Sequence, residues 1–137
     1  MVAGLVVWMV VATLLNFGLR AGIAGYTQAE PAMIFTLGMK VARLILGALA
    51  SLAAGAAAGL IAPSKTAPGW VLGAIILSLF IPVHIQLWAK FPVWYHLVFL
   101  TTLVPLVALG AAFTRTRLRT VGHASNMPLA KREGGQS

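Results

Sequence analysis

His84 and His96 flank the stretch IQLWAKFPVWY, which also holds Trp88, Lys90, Trp94 and Tyr95 in an otherwise largely aliphatic chain. A pair of imidazoles can ligate a metal or a haem iron, or help hold a ligand such as a quinone, a lipid headgroup or a small anion. Arg20, Arg43 and Gln86 add two guanidinium groups and an amide that fall at the same end of the hydrophobic runs described below. Other chemistries are removed by composition. With no cysteine there are no disulfides, thiolate metal ligands or cysteine nucleophiles. The chain has only two acidic residues, Glu30 and Glu133, too few for a carboxylate metal site. Neither a metal nor a catalytic centre is therefore expected.

The elements that must position these groups are membrane helices. The 137 residues are 60% hydrophobic and 9% charged, with a mean hydropathy of +0.94, whereas soluble domains are about a quarter charged. Four apolar runs are each near the roughly 20 residues needed to cross a bilayer as a helix. They lack the alternation of barrel strands, and lipid cannot satisfy exposed backbone groups. The expected fold is an all-α membrane protein: four transmembrane helices in an up-down antiparallel bundle, spanning residues 2–19, 32–62, 69–89 and 93–114. Pro31 suits a first helical position and Glu30 the positive end of a helix dipole, so the second helix is predicted to be extended at its N-terminus. Residues 115–137 form a basic tail, expected to be largely disordered.

Two patterns within the helices concern packing. Gly47, Ser51, Gly55 and Gly59 recur every four residues, so they share one face and allow close backbone approach. That face predicts contact either with the first or third helix of the bundle, or with a partner chain or second copy. Pro82 and Pro105 should kink the third and fourth helices, with Ser78 and Thr101, four residues before them, helping to satisfy the freed carbonyls.

The formal net charge of +8 is spread over the span ends rather than one soluble face, which argues against nucleic-acid binding and for topology and lipid contact. Arg115, Arg117 and Arg119 directly follow the last span, suit anionic lipid headgroups, and by the positive-inside rule place both termini in the cytoplasm, here of a bacterial inner membrane. Arg20, Arg43, His84, Gln86 and His96 then meet at the periplasmic end, where one water-accessible polar cluster is expected. Trp88, Trp94 and Tyr95 fit an aromatic belt at that interface, with Trp70 at the other.

A bis-histidine haem at His84 and His96 needs more room than the roughly 8–10 Å between adjacent packed helices, and a quinone is the weaker alternative to a structural cluster, so no cofactor is expected. Family patterns are excluded in turn. The first span lacks the glutamate of four-span small multidrug exporters, the Thr/Phe-rich box of fluoride channels is missing, and quinone-linked disulfide enzymes need cysteines. The residues point to a small membrane accessory or assembly subunit without catalytic activity, packing on a membrane partner or on itself through the second helix. The alternative is a homo-oligomeric transporter or channel opening at the polar end.

Overall fold

A computed structural model of the protein describes residues 1–62 and 67–125, with side chains described as far as residue 121. Among these residues there are five helices and no strand: α1 (Val2–Gly22), the single-turn α2 (Tyr26–Ala29), α3 (Leu37–Ile61), α4 (Ala67–Gln86) and α5 (Val93–Ser125). α1, α3, α4 and α5 to Val121 are long and apolar enough to cross a bilayer. The protein is a multi-pass, all-α membrane protein.

Local chemistry sets the helix ends. α1 carries Arg20 in its last turn, where a cation suits the negative end of the helix dipole. α3 starts at Leu37, not at residue 31 or 32, and its N-terminal extension is absent. The Thr36 hydroxyl caps it by accepting a hydrogen bond from the Met39 N–H at 3.3 Å. Upstream, Pro31 continues the turn after α2, which ends when Met33 takes a left-handed φ of 56° and the Ile34 N–H donates to the Ala29 carbonyl. A left-handed residue cannot be followed within the same helix, so a new one must be capped downstream. At 25 residues α3 is about 37 Å long, close to a span.

α5 differs from expectation at its other end. It runs 33 residues to Ser125, so residues 115–125 are helical rather than part of a disordered tail. TRTRLR holds no glycine or proline, and its arginines and leucine are good helix formers. The turn at 63–66 and the tail at 126–137 lie outside the described residues. Pro82 and Pro105 sit inside α4 and α5, which stay helical across them. The Ser78 and Thr101 hydroxyls donate to the Ala74 and Leu97 carbonyls at 2.8 and 2.6 Å, one turn before the carbonyls that the prolines free.

The closest seam joins helices that are not consecutive. A Cβ on Gly55 would overlap the Val107 carbonyl, and one on Gly59 would sit 2.6 Å from the Ala111 carbonyl oxygen; Gly47 faces the Phe99 ring. These numbers rise together, so α3 and α5 run parallel. Gly110 of α5 answers with an equally close approach to the Leu52 carbonyl. α4 packs on the other side of α5, with Gly73 against Val104 and Gly69 against Ala108, while α1 packs on α3, with Gly4 against Leu72 of α4 and the Ala54 carbonyl. α3 and α4, expected to be neighbours, touch only slightly. At its glycines the small-residue face of α3 therefore meets α5 rather than the third span, while Ser51 also takes a hydrogen bond from Trp8 of the first. Glycines on α3, α4 and α5 all reach the α5 contact surface, and dispersion is strongest where backbones come closest.

Two buried clusters result. Ala54, Ala58, Leu72, Ile76, Leu103 and Val107 fill the middle of the bundle. Tyr26, Phe35, Met39, Phe91 and Tyr95 close one end, beneath the loop that carries α2.

Candidate functional site

The closed end holds a chain of side-chain hydrogen bonds built from three elements. Arg20 of α1 pairs with Glu30 at 2.7 Å. Asn16, one turn earlier on α1, donates to the other Glu30 oxygen at 3.3 Å and accepts from the Tyr26 hydroxyl at 3.1 Å. That hydroxyl in turn accepts from Arg43 Nη1 of α3 at 2.8 Å. Gly25, with a φ of 79°, turns the chain so that Tyr26 enters the bundle, where it is fully buried. The Arg43 guanidinium lies 4.8 Å over the Phe35 ring.

Arg43 is the unusual member. Among the described residues no carboxylate lies within ion-pairing distance of it, Glu30 being engaged by Arg20. Its Nε is buried with no hydrogen-bond partner. A guanidinium within a membrane span, hydrogen-bonded to a phenol and not to an acid, keeps an uncompensated positive charge.

Beside it opens a cleft of about 430 Å³. Arg20, Arg43, Asn16 and Glu30 form its polar end, and Trp8, Phe80 and Phe99 its apolar depth. The floor is fixed. Trp8 Nε1 donates to Ser51 Oγ at 3.2 Å, Ser51 donates to the Gly47 carbonyl at 2.7 Å, and Phe80 packs on both Trp8 and Phe99 with ring centroids 4.8 and 5.2 Å away. Ser51, one of the small-face residues, thus serves the cleft as well as the packing.

The histidines form a separate unit. The Nδ1 atoms of His84 and His96 lie 2.7 Å apart, so one ring donates its Nδ1–H to the other, and the accepting imidazole must be neutral. Both rings are buried, at 5% and 0% exposure, rather than water-accessible. Phe80, Phe99 and Tyr95 surround His84, and Trp88 stacks on His96 with centroids 4.8 Å apart. With the two Nδ1 atoms in direct contact there is no room for an iron or other metal between them. His96 Nε2 is buried and unpaired. Carrying the proton on His96 Nδ1 leaves that nitrogen a bare acceptor, which costs less than burying an unpaired N–H.

The single polar cluster expected from the sequence is thus divided in two, and Gln86 belongs to neither, because it is exposed at the last residue of α4. Tyr95, assigned to the interfacial belt, is buried in the end cluster, whereas Trp70, Trp88 and Trp94 are 40–54% exposed. Tyr26, Asn16 and Glu30 complete the site without any spacing rule that would have joined them to Arg43. The one signal was their shared position at the same end of the spans. Arg117 lies 4.9 Å over Phe113 on the far end of α5. No protein-family model matches this chain, and neither a curated protein nor a solved structure is significantly similar to it.

Proposed function

We propose that the protein is a non-catalytic binding subunit of a bacterial inner membrane, with both termini cytoplasmic, that holds a small anionic ligand in the α1–α3 cleft and serves as an accessory or interaction protein. The observation that carries this reading is Arg43: a guanidinium inside a span, at the polar end of a cavity, with a buried unpaired Nε and, among the described residues, no acid of its own. An ionic group in lipid is costly unless compensated, and an anion entering the cleft compensates it. Arginine also offers a fork of donors suited to carboxylate or phosphate oxygens.

The orientation rests on Arg115, Arg117 and Arg119, and puts the cleft toward the periplasm. A C-terminal alkaline phosphatase fusion that is active outside the cytoplasm would reverse it. The small-residue face of α3 is filled by α5 and, at Ser51, by Trp8 of α1, so a partner helix would use another surface, such as the apolar groove lined by Ala53, Ala56 and Phe113. The binding reading is tested by thermal unfolding of the purified protein with inorganic phosphate and acetate. Either anion should raise the unfolding temperature of the native protein and not that of Arg43→Gln.

A transporter built from several copies is the second reading, favoured by the same polar cleft. Below Trp8 the helices close on glycine contacts at Gly4 and Gly55, so such a pathway would have to run between protomers. Mass measurement of the intact complex from mild detergent separates the two: a stoichiometric foreign chain supports the accessory role, a closed homo-oligomer the transporter.

A further inference from the structure

Resting on the anion-binding reading above, we infer that the cleft takes a single-chain anionic amphiphile, its charged head at Arg43 and its hydrocarbon chain lying along α1 toward Trp8, admitted sideways from the bilayer. Three observations lead there.

The cleft is graded along its length. Its α1 wall runs from Arg20 to Trp8, twelve residues apart and about 18 Å along the helix at 1.5 Å per residue. Charged and amide groups occupy one end, and Trp8, Phe80 and Phe99 the other. A small water-soluble anion would satisfy Arg43 and leave the aromatic end empty, whereas a hydrocarbon chain fills it.

The mouth faces lipid. Met9 and Phe17 line the cleft, yet both are 59% exposed, and apart from Gly4 on Leu72 and Trp8 on Phe80 at its lower end, α1 has little contact with α4. A ligand can reach the cavity through that gap without crossing water. Arg43 lies in the second turn of α3, close to the membrane interface where an amphiphile's head resides.

The charge matches a single anion. Arg20 and Glu30 neutralise one another, and Arg43 supplies one positive charge in excess. The Tyr26 hydroxyl accepts a hydrogen bond from it, and Tyr95 lines the same cleft.

The test uses the full chain in phosphatidylcholine nanodiscs, with 9,10-dibromostearate as a bromine quencher of tryptophan fluorescence. Saturable quenching is expected, most of it lost in Trp8→Phe, with the midpoint at least tenfold higher in Arg43→Gln and partly restored in Arg43→Lys. The uncharged methyl ester, applied to the native protein, should quench without saturation. Equal saturable quenching by acid and ester would overturn the anionic head, and quenching unchanged by Trp8→Phe would overturn the placement of the chain. If dibromostearate gives no saturable quenching while phosphate or acetate still stabilises the protein through Arg43, the amphiphile is wrong and the anion reading stands. If none of the three probes acts through Arg43, both fail.

Discussion

The α3–α5 seam and the α1–α2–α3 end hold the same bundle together by opposite means. Along the seam, glycines bring backbones into contact, and at Gly55 and Gly110 no space remains for even one added carbon. At the end, long side chains span the gaps, and Asn16, Arg20, Tyr26, Glu30 and Arg43 are linked at 2.7–3.3 Å. Lipid is as apolar as a leucine-rich helix, so burial alone does not favour helix over lipid contact, and close packing or hydrogen bonding must do so. Separating the two devices has a consequence. The seam fixes α3, α4 and α5 through backbone contact, while α1, with only Gly4 buried, touches α4 at Gly4 on Leu72 and Trp8 on Phe80 and leaves a cleft toward Asn16 and Arg20.

Substitutions in the two regions should therefore differ in size. Gly55→Leu should be the most damaging, at about 3 kcal/mol or more, because the obstructing atom is a backbone carbonyl that cannot turn aside. Loss of the folded protein from mild detergent is the expected outcome, and a variant that migrates and unfolds like the parent would remove the seam's special status. Gly47→Ala, which meets the edge of the Phe99 ring at 2.7 Å, should cost clearly less, since a side chain can shift.

Between the two regions sits the histidine pair. His96→Phe leaves a buried His84 nitrogen without its partner and should lower stability by about 2 kcal/mol. Replacing both rings by phenylalanine should cost less than the two single changes together, with a coupling of about 1 kcal/mol in a thermal-unfolding cycle. Strict additivity would mean that the 2.7 Å contact is not a hydrogen bond that matters.

The end network should respond more weakly. Tyr26→Phe removes the bonds to Asn16 and to the charged Arg43 and should cost about 1.5 kcal/mol. Glu30→Gln should be smallest, about 0.5 kcal/mol, because Arg20 is 43% exposed and its pairing is screened. Raising the salt concentration should shrink that difference further. A Glu30 effect larger than that of Gly55 would invert the comparison.

Much of this contrast was legible in advance, and for a physical reason. Gly47, Ser51, Gly55 and Gly59 announce a packing face because helical spacing alone puts them together, and a helix needs no partner to satisfy that geometry. What they pack against was not legible, since α1, α4 and α5 all present small residues. The polar end was visible as a set of residues at one depth. Its division into a buried imidazole pair and an arginine cleft was not, because depth along a helix is a function of residue number while rotation about the axis depends on its neighbours.

Hydrophobic run length and the near-absence of charge determine by themselves that the chain crosses the membrane as helices, since each span satisfies its own backbone wherever its neighbours lie. The boundary of α3 shows the first limit: Pro31 read as a helix start, but Thr36 capping and the left-handed Met33 moved it to Leu37. The tertiary structure alone decided that α5 rather than a consecutive helix fills the glycine face of α3. It also decided that Tyr95 turns inward and that Arg43 reaches a phenol and not a carboxylate. Those outcomes depend on which of several equally apolar faces approach most closely, an energy that exists only once two helices are in contact.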